Sequence, residues 1–358
     1  MSGSHAADAA TCAAVAISAT AALADYRLIV PQKPGGGTSV WATIVSKHLE
    51  KFIGEPVIVE HIPGAQDIPG FNKFHNELQK DLKVIMVAHG GNAESFLTDK
   101  VDYDYDKYDP IALVNLNITV SHMAEPFDPY SQRIKFGSTS GRRPDVMAIT
   151  LLVCGPKKNV DEYIACFNEH ITFVKGMDPT EARLAALRGE LNVVRETFVS
   201  QKKFIEPTVK EGKFKEWFNH GVLDLKTGRI VKDKNFASPS FEEAYKAKWG
   251  KAPSGEFYDA YVLVKNYRDV LQKSLWVGKN NPNKAKLQQA VRKMLEDPEA
   301  RAEIVKDGGD YEWFIGDDML NAYNKIKKSL NEKSLQTLVK FTNEALEINS
   351  VYKPEILK

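Results

Sequence analysis

Residues 27–39 read RLIVPQKPGGGTS, and residues of these types at this spacing suit one kind of chemistry, the holding of an anion. Gly35, Gly36 and Gly37 carry no Cβ, so the backbone can come close to a ligand. Thr38 and Ser39 add hydroxyls where a helical pattern begins. The first turn of a helix leaves its N–H groups without intrahelical partners, and the macrodipole favours negative charge there. Other chemistries do not fit. GGGTS lacks the lysine of a phosphate-binding P-loop and the spacing of a dinucleotide fingerprint. Asp102, Asp104 and Asp106 imitate the start of a calcium loop, but Lys107 and Leu113 stand where glycine and glutamate are required. Neither H-E-x-x-H nor G-x-S-x-G occurs. The residues therefore predict binding without metal, cofactor or catalytic group. The alternative is an α/β enzyme acting on a carboxylated or phosphorylated small metabolite.

The elements that must position this loop follow from hydrophobic patterning. An apolar run, Leu28-Ile29-Val30, precedes the glycines as a strand, and Val40–Phe52 places apolar residues at helical spacing before Gly54. The unit then recurs. Pro56–Glu60 is a second strand, followed by a turn containing Pro63, Gly64, Ala65, Gln66 and Asp67. Lys83–Ala88 is a third, nearly all apolar as for a strand covered on both faces, and runs into His89-Gly90-Gly91-Asn92. Strand, turn and helix repeating in this way predict a doubly wound α/β sheet, with ligand beyond the carboxyl ends of its strands. His89 is then either a ligand contact or a structural turn histidine. Farther on, Lys135–Ser138 is a strand entering the turn Ser138-Thr139-Ser140-Gly141, and further helix and strand patterns predict a second lobe.

Composition sets the class. The 358 residues are 43% hydrophobic and 27% charged, with a net charge of +1, which suits a globular protein of two lobes and gives no basic surface for nucleic acid. Residues 1–24 differ from the rest: Thr11–Ala24 is small and apolar, ends in Ala-Leu-Ala and has the look of a secretory leader, although residues 1–10 hold no Lys or Arg. Cys154 and Cys166 remain beyond it. If the chain is exported the two can pair; if not, each is a small buried hydrophobe.

The PGGGT of residues 34–38 and the PGA of residues 63–65, with 101–114, 136–141 (FGSTSG), 173–193 and 276–309 following in order, resemble the periplasmic solute-binding proteins of tripartite tricarboxylate transporters, the TctC or Bug family. The likeness spans about residues 26–315 and departs at Gln32, Ser39 and Gln66-Asp67, and in extra length at 256–274 and beyond Gly316. It implies an α/β two-lobe, Venus-flytrap architecture with lobe 1 formed by 26–120 plus 241–358 and lobe 2 by 121–240. It implies a periplasmic monomer that hands a small organic carboxylate to small and large integral membrane subunits. The grip would come from Gly35, Gly36, Gly37, Thr38, Ser39, Ala65, Gln66 and Asp67. Ser138, Thr139, Ser140, Gly141 and Lys175 would meet the ligand from lobe 2, with His89 beside them. Asp67 stands out, since a carboxylate next to a carboxylate site opposes binding unless it faces away or receives a donor of the ligand. Arg142 and Arg143 either pair with a distal carboxylate or form a solvated pair.

Overall fold

β1 (Tyr26–Val30) is buried along its length because helices cover both of its faces, and it is the centre from which the first sheet is built. The structure, a computed structural model, describes residues 25–64, 67–90 and 92–357, so the leader, Ala65 and Gln66 lie outside the described residues. β1 pairs in parallel with β2 (Val57–His61) and β3 (Val84–His89), Arg27 standing opposite Ile58 and Val84. Between β1 and β2 runs α1 (Gly37–Ile53), closed by Gly54 in the left-handed region at φ 77°. After β2 comes α2 (Ile68–Asn76), and β4 (Tyr108–Val114) follows β3.

The chain then leaves this sheet. β5 (Ile118–Met123) opens a second one, with β6 (Ile134–Ser138), β7 (Ile171–Lys175), β8 (Val193–Thr197) and β9 (Phe214–Asn219), in the order β7-β6-β8-β5-β9. Helices α3 (Pro144–Cys154), α4 (Val160–His170) and α5 (Pro179–Leu187) flank it. After β8 comes a helical run made of α6 (Phe198–Ser200), a π turn (Gln201–Ile205) and α7 (Glu206–Lys210). A small hairpin, β10 (Val222–Leu223) and β11 (Ile230–Val231), precedes α8 (Phe241–Trp249) and α9 (Glu256–Val270). β12 (Lys273–Gly278) then returns to the first sheet, whose order is β13-β4-β12-β3-β1-β2 with β13 (Trp313–Ile315) at the edge. The reversed strands are informative. β12 and β13 run against β3 and β4 in the first sheet, and β5 runs against β8 and β9 in the second. Each sheet is parallel except at strands that carry the chain across or come after its return.

The extra length has a structural use. α9 and the last long helix, α13 (Glu332–Leu346), follow or precede α10 (Lys284–Glu296), α11 (Pro298–Gly308) and α12 (Asp317–Lys327). Phe257, Tyr261 and Val264 of α9 and Leu338 and Phe341 of α13 share one apolar core with Met147 and Leu151 of α3 and with Met86 and Trp276 of the first sheet. The lobes are therefore joined by packed side chains as well as by the crossing segments. Cys154, at the end of α3, forms a disulfide with Cys166 of α4, which settles the alternative left open by spacing. Among the described residues no helix is long and apolar enough to cross a membrane, and no group of three or more His, Cys, Asp or Glu is placed to hold a metal ion.

Candidate functional site

Loops from the carboxyl ends of β1, β2, β6 and β7 converge on a cavity of about 500 Å3. Gln32, Lys33 and Gly36 come from the first turn and Pro63, Gly64 and Asp67 from the second; Thr139, Gly141, Lys175 and the start of α5 face them. This is where an α/β fold places ligands, because strand ends expose backbone polar groups there while the sheets stay dry.

α1 begins at the boundary of this space, its N-cap residue Gly36 in the cavity wall. Gly36 lies at φ −78° and ψ 167° and brings no side-chain cap, and the first turn holds no acidic residue. The first intrahelical bond runs from Val40 N–H to Gly36 O, at 3.0 Å, so the amides of Gly37, Thr38 and Ser39 precede it. Gly35 sits at φ 88°, where a side chain would be strained. Gly37 serves a different need: a Cβ there would run into the hydroxyl oxygens of Thr197 and Ser200 from the second lobe. Across the mouth, Lys33 pairs with Glu181 at 3.0 Å and Asp178 at 3.4 Å. The two lobes thus meet on both sides of the glycine loop, which is a closed arrangement.

Beneath the cavity lies a small recess of about 20 Å3, lined by Gly37, Thr38, His89, Arg143, Arg195 and Lys273 among others. Lys273 Nζ donates to Thr38 Oγ1 and to Gln272 O, both at 3.1 Å. Its burial and the charges of Arg268, Arg195 and Arg143 push the Lys273 ammonium well below its ordinary pKa. Asp145, fully buried in the first turn of α3, faces Arg195 at 3.4 Å, Arg268 at 3.5 Å and His220 at 3.0 Å. Glu196 also lines the recess and pairs with Arg183 at 2.6 Å, so buried acids and bases alternate beneath the cavity.

Asp67 lines the cavity and contacts two residues of the recess. Its Oδ2 lies 2.9 Å from His89 Nε2 and 3.7 Å from Arg143 Nη2, and Gln32 Nε2 donates to it at 3.4 Å. Burial alone would raise its carboxyl; His89, Arg143 and Gln32 outweigh that and hold it below the usual carboxylate range. Asn92 ties the second and third turns together, donating to Asp67 O at 3.0 Å and accepting from His89 N–H at 3.3 Å.

Burial drives the His89 imidazole down to about 4, against the pull of Asp67. His89 is therefore neutral at neutral pH. Because its folded pKa lies below the unfolded value, the unfolded chain takes up a proton first as pH falls. Stability is present above about pH 6.5 and is lost as pH drops toward the folded value, by at most about 3 kcal/mol. His89→Gln keeps a donor toward Asp67 and cannot titrate. Urea unfolding at pH 7 and at about pH 4.5 should show a smaller acid loss for this variant than for the wild type; equal losses would place the titrating group elsewhere.

No protein-family model matches the sequence, and no curated protein matches it either. Solved structures do. The periplasmic binding protein BugD superposes with a TM-score of 0.59 at 17% identity, over 89% of this chain and 97% of that one. MatC from Rhodopseudomonas palustris with bound malate gives 0.57 at 16%, over 90% and 98%. An R. palustris protein with adipate gives 0.60 at 11%, over 89% and 97%. The fold is that of the Bug-type periplasmic binding proteins.

Within this binding-protein fold the residues expected from sequence divide into groups. Gly36, Asp67, Thr139, Gly141 and Lys175 line the cavity; Gly37, Thr38 and His89 line the recess under it. Gly35 shapes the turn from its exposed side. Ser39 is buried with its Oγ 2.9 Å from His61 Nε2, a contact within lobe 1. Ser138 is buried below its turn with no hydrogen-bond partner for its Oγ, and Ser140 Oγ accepts from Arg142 N–H at 3.1 Å. Ala65 and Gln66 fall outside the described residues.

The solvated reading of Arg142 and Arg143 is corrected, since both are buried, Arg143 donating to Thr139 Oγ1 at 2.5 Å. Sequence reasoning missed Lys33, Asp178, Thr180, Glu181 and Ile348 in the cavity wall and Lys273 beneath it. A signal existed for part of this. Asp178-Pro-Thr-Glu181 is a capping box, with Asp178 Oδ1 accepting from Thr180 and Glu181 N–H. It marks a helix start beside the end of β7.

Proposed function

We propose that this chain is an extracytoplasmic receptor that captures a small organic carboxylate between its lobes, without turnover, and delivers it to a tripartite tricarboxylate-type membrane transporter. The observation that carries the reading is the uncapped N-terminus of α1, free of acidic residues and opening on a 500 Å3 cavity between two lobes. A carboxylate placed there completes the first-turn amides and meets the helix dipole. Hydrogen bonds to a charged group contribute about 1.5–3 kcal/mol each, so three or four, less the cost of association, reach the −8 kcal/mol or so of micromolar binding.

Solved neighbours of the same fold hold malate and adipate, which supports the ligand class. In this reading Gly36 and the first turn of α1 grip the carboxylate, with Asp67, Thr139, Gly141 and Lys175 around it. Lobe 1 comprises 26–120 with 241–358, and lobe 2 comprises 121–240. The protein works as an exported monomer, partnered by a small and a large integral membrane subunit.

A thermal-shift screen over mono-, di- and tricarboxylates and aromatic acids tests the proposal. At least one acid should raise the melting temperature in a concentration-dependent way, and no bound acid should be consumed. A screen negative for every acid, or turnover of one that binds, would overturn it.

A further inference from the structure

We infer that residues 347–353 form a strap that closes the far end of the cavity, and that Ile348 sets the length of ligand the cavity accepts. The inference rests on the cavity being the ligand site. Sequence reasoning expected the Ser138–Gly141 turn to meet the far end of the ligand directly. Gly141 does line the cavity, but it shares that end with the strap: a Cβ there would run into the side-chain ends of Ile348 and Leu346. Ile348 is at the same time part of the cavity wall. The missing Cβ of Gly141 thus admits the strap, which adds an isoleucine side chain to the wall that Thr139 and Gly141 form there.

The strap is held at several points. Glu347 ends α13 in the left-handed region at φ 50°, turning the chain toward lobe 2, where its carboxylate lies 3.5 Å from Lys175 Nζ. Arg142, buried beside the same turn, donates from Nε to Ser350 Oγ at 2.8 Å and from Nη2 to Asn349 O at 2.7 Å. Ser350 is fixed in return by Thr342 Oγ1 at 2.8 Å and by Asn343, whose Oδ1 accepts its N–H at 2.6 Å. From the next residue the strap joins lobe 1, with Val351 N–H donating to Leu97 O at 3.1 Å and Lys353 N–H to Phe96 O at 3.2 Å. One short segment therefore bridges both lobes and presents an apolar side chain to the cavity. An acid gripped at α1 can extend only as far as Ile348 before it meets packed carbon.

The test is titration calorimetry with linear dicarboxylates from malonate to sebacate and the matching monocarboxylates, on the full chain and on Ile348→Ala. Ile348→Ala removes enough carbon for about two methylenes, so the first acids the wild type rejects as too long should gain about tenfold in affinity. The shortest bound acid should change little. Arg142→Gln, which frees the strap with Ile348 in place, should move the length limit in the same direction. A wild type that binds with an unchanged length profile in both variants overturns the strap and leaves the receptor reading standing. A wild type that binds no acid overturns the receptor reading, and maleimide labelling of Thr139→Cys then decides the strap separately. Labelling severalfold faster when Ile348→Ala is added supports the strap, and equal rates overturn it.

Discussion

Gly36→Val is expected to remove carboxylate binding while leaving the empty protein folded, its melting temperature within about 2 °C of wild type. The backbone allows the change. At φ −78° and ψ 167° Gly36 is in extended geometry that any residue adopts, and the nearest atom to an added Cβ is Lys33 O at 4.0 Å. Yet Gly36 lines the cavity and immediately precedes the first turn of α1, whose Gly37 and Thr38 line the adjoining recess. Valine at this position puts a branched side chain where the carboxylate should sit. Losing even two hydrogen bonds to a charged group lowers affinity by about 100-fold or more. Calorimetry with the best acid from the screen reads the loss, and differential scanning fluorimetry of the empty protein reads the fold. Gly37→Ala makes the contrast. Its Cβ would collide with Thr197 and Ser200, so it wedges the lobes apart and weakens both binding and the closed state. A Gly36→Val protein that binds like wild type would move the site away from this loop.

The second large effect belongs to Asp145. Its carboxylate is fully buried, and burial alone would raise its pKa; Arg268, Arg195 and His220 reverse this and hold it well below the usual carboxylate range. The acid is therefore charged at neutral pH, and it neutralises arginines from β8 and α9. Asp145→Ala strands those cations, and breaking a buried pair from one side costs about 3–5 kcal/mol. Asp145→Asn keeps the shape and one acceptor, so its cost should be smaller. Urea denaturation with an unchanged m-value measures both. A loss below about 1 kcal/mol for the alanine variant would mean that the arginines find water or other acceptors, and that the charge network under the cavity is not what holds the floor together.

How much of this could be read in the chain beforehand depends on the distance over which each feature is determined. The strand, glycine turn and helix of residues 26–53 are local: apolar β-branched residues, then glycine, then helical spacing. Repetition of that unit at β2 and β3, and the turn after β6, predicted two α/β lobes and half of the cavity wall. What could not be read depends on partners far apart in sequence. Asp67 looked wrong for a carboxylate site because nothing near it in sequence neutralises it; His89 and Arg143 arrive from other loops. Arg142 and Arg143 were indistinguishable from a solvated pair until the strap and Asp67 were seen against them. The length at 256–274 and beyond Gly316 appeared as departure from a family pattern. Its use, joining two lobes through α9 and α13 and covering Gly141, is a matter of packing that periodicity does not contain. The disulfide likewise needed the placement of α3 beside α4.

In the proposed receptor a carboxylate docks at the first turn of α1 between the lobes. A crystal structure of the protein with the acid that stabilises it most tests this directly. The carboxylate oxygens should lie within hydrogen-bond distance of the first-turn amides next to Gly36, with the far end of the molecule against Ile348. Density for the acid elsewhere on the protein, with the cavity at α1 holding solvent alone, would rule out a carboxylate site at this helix.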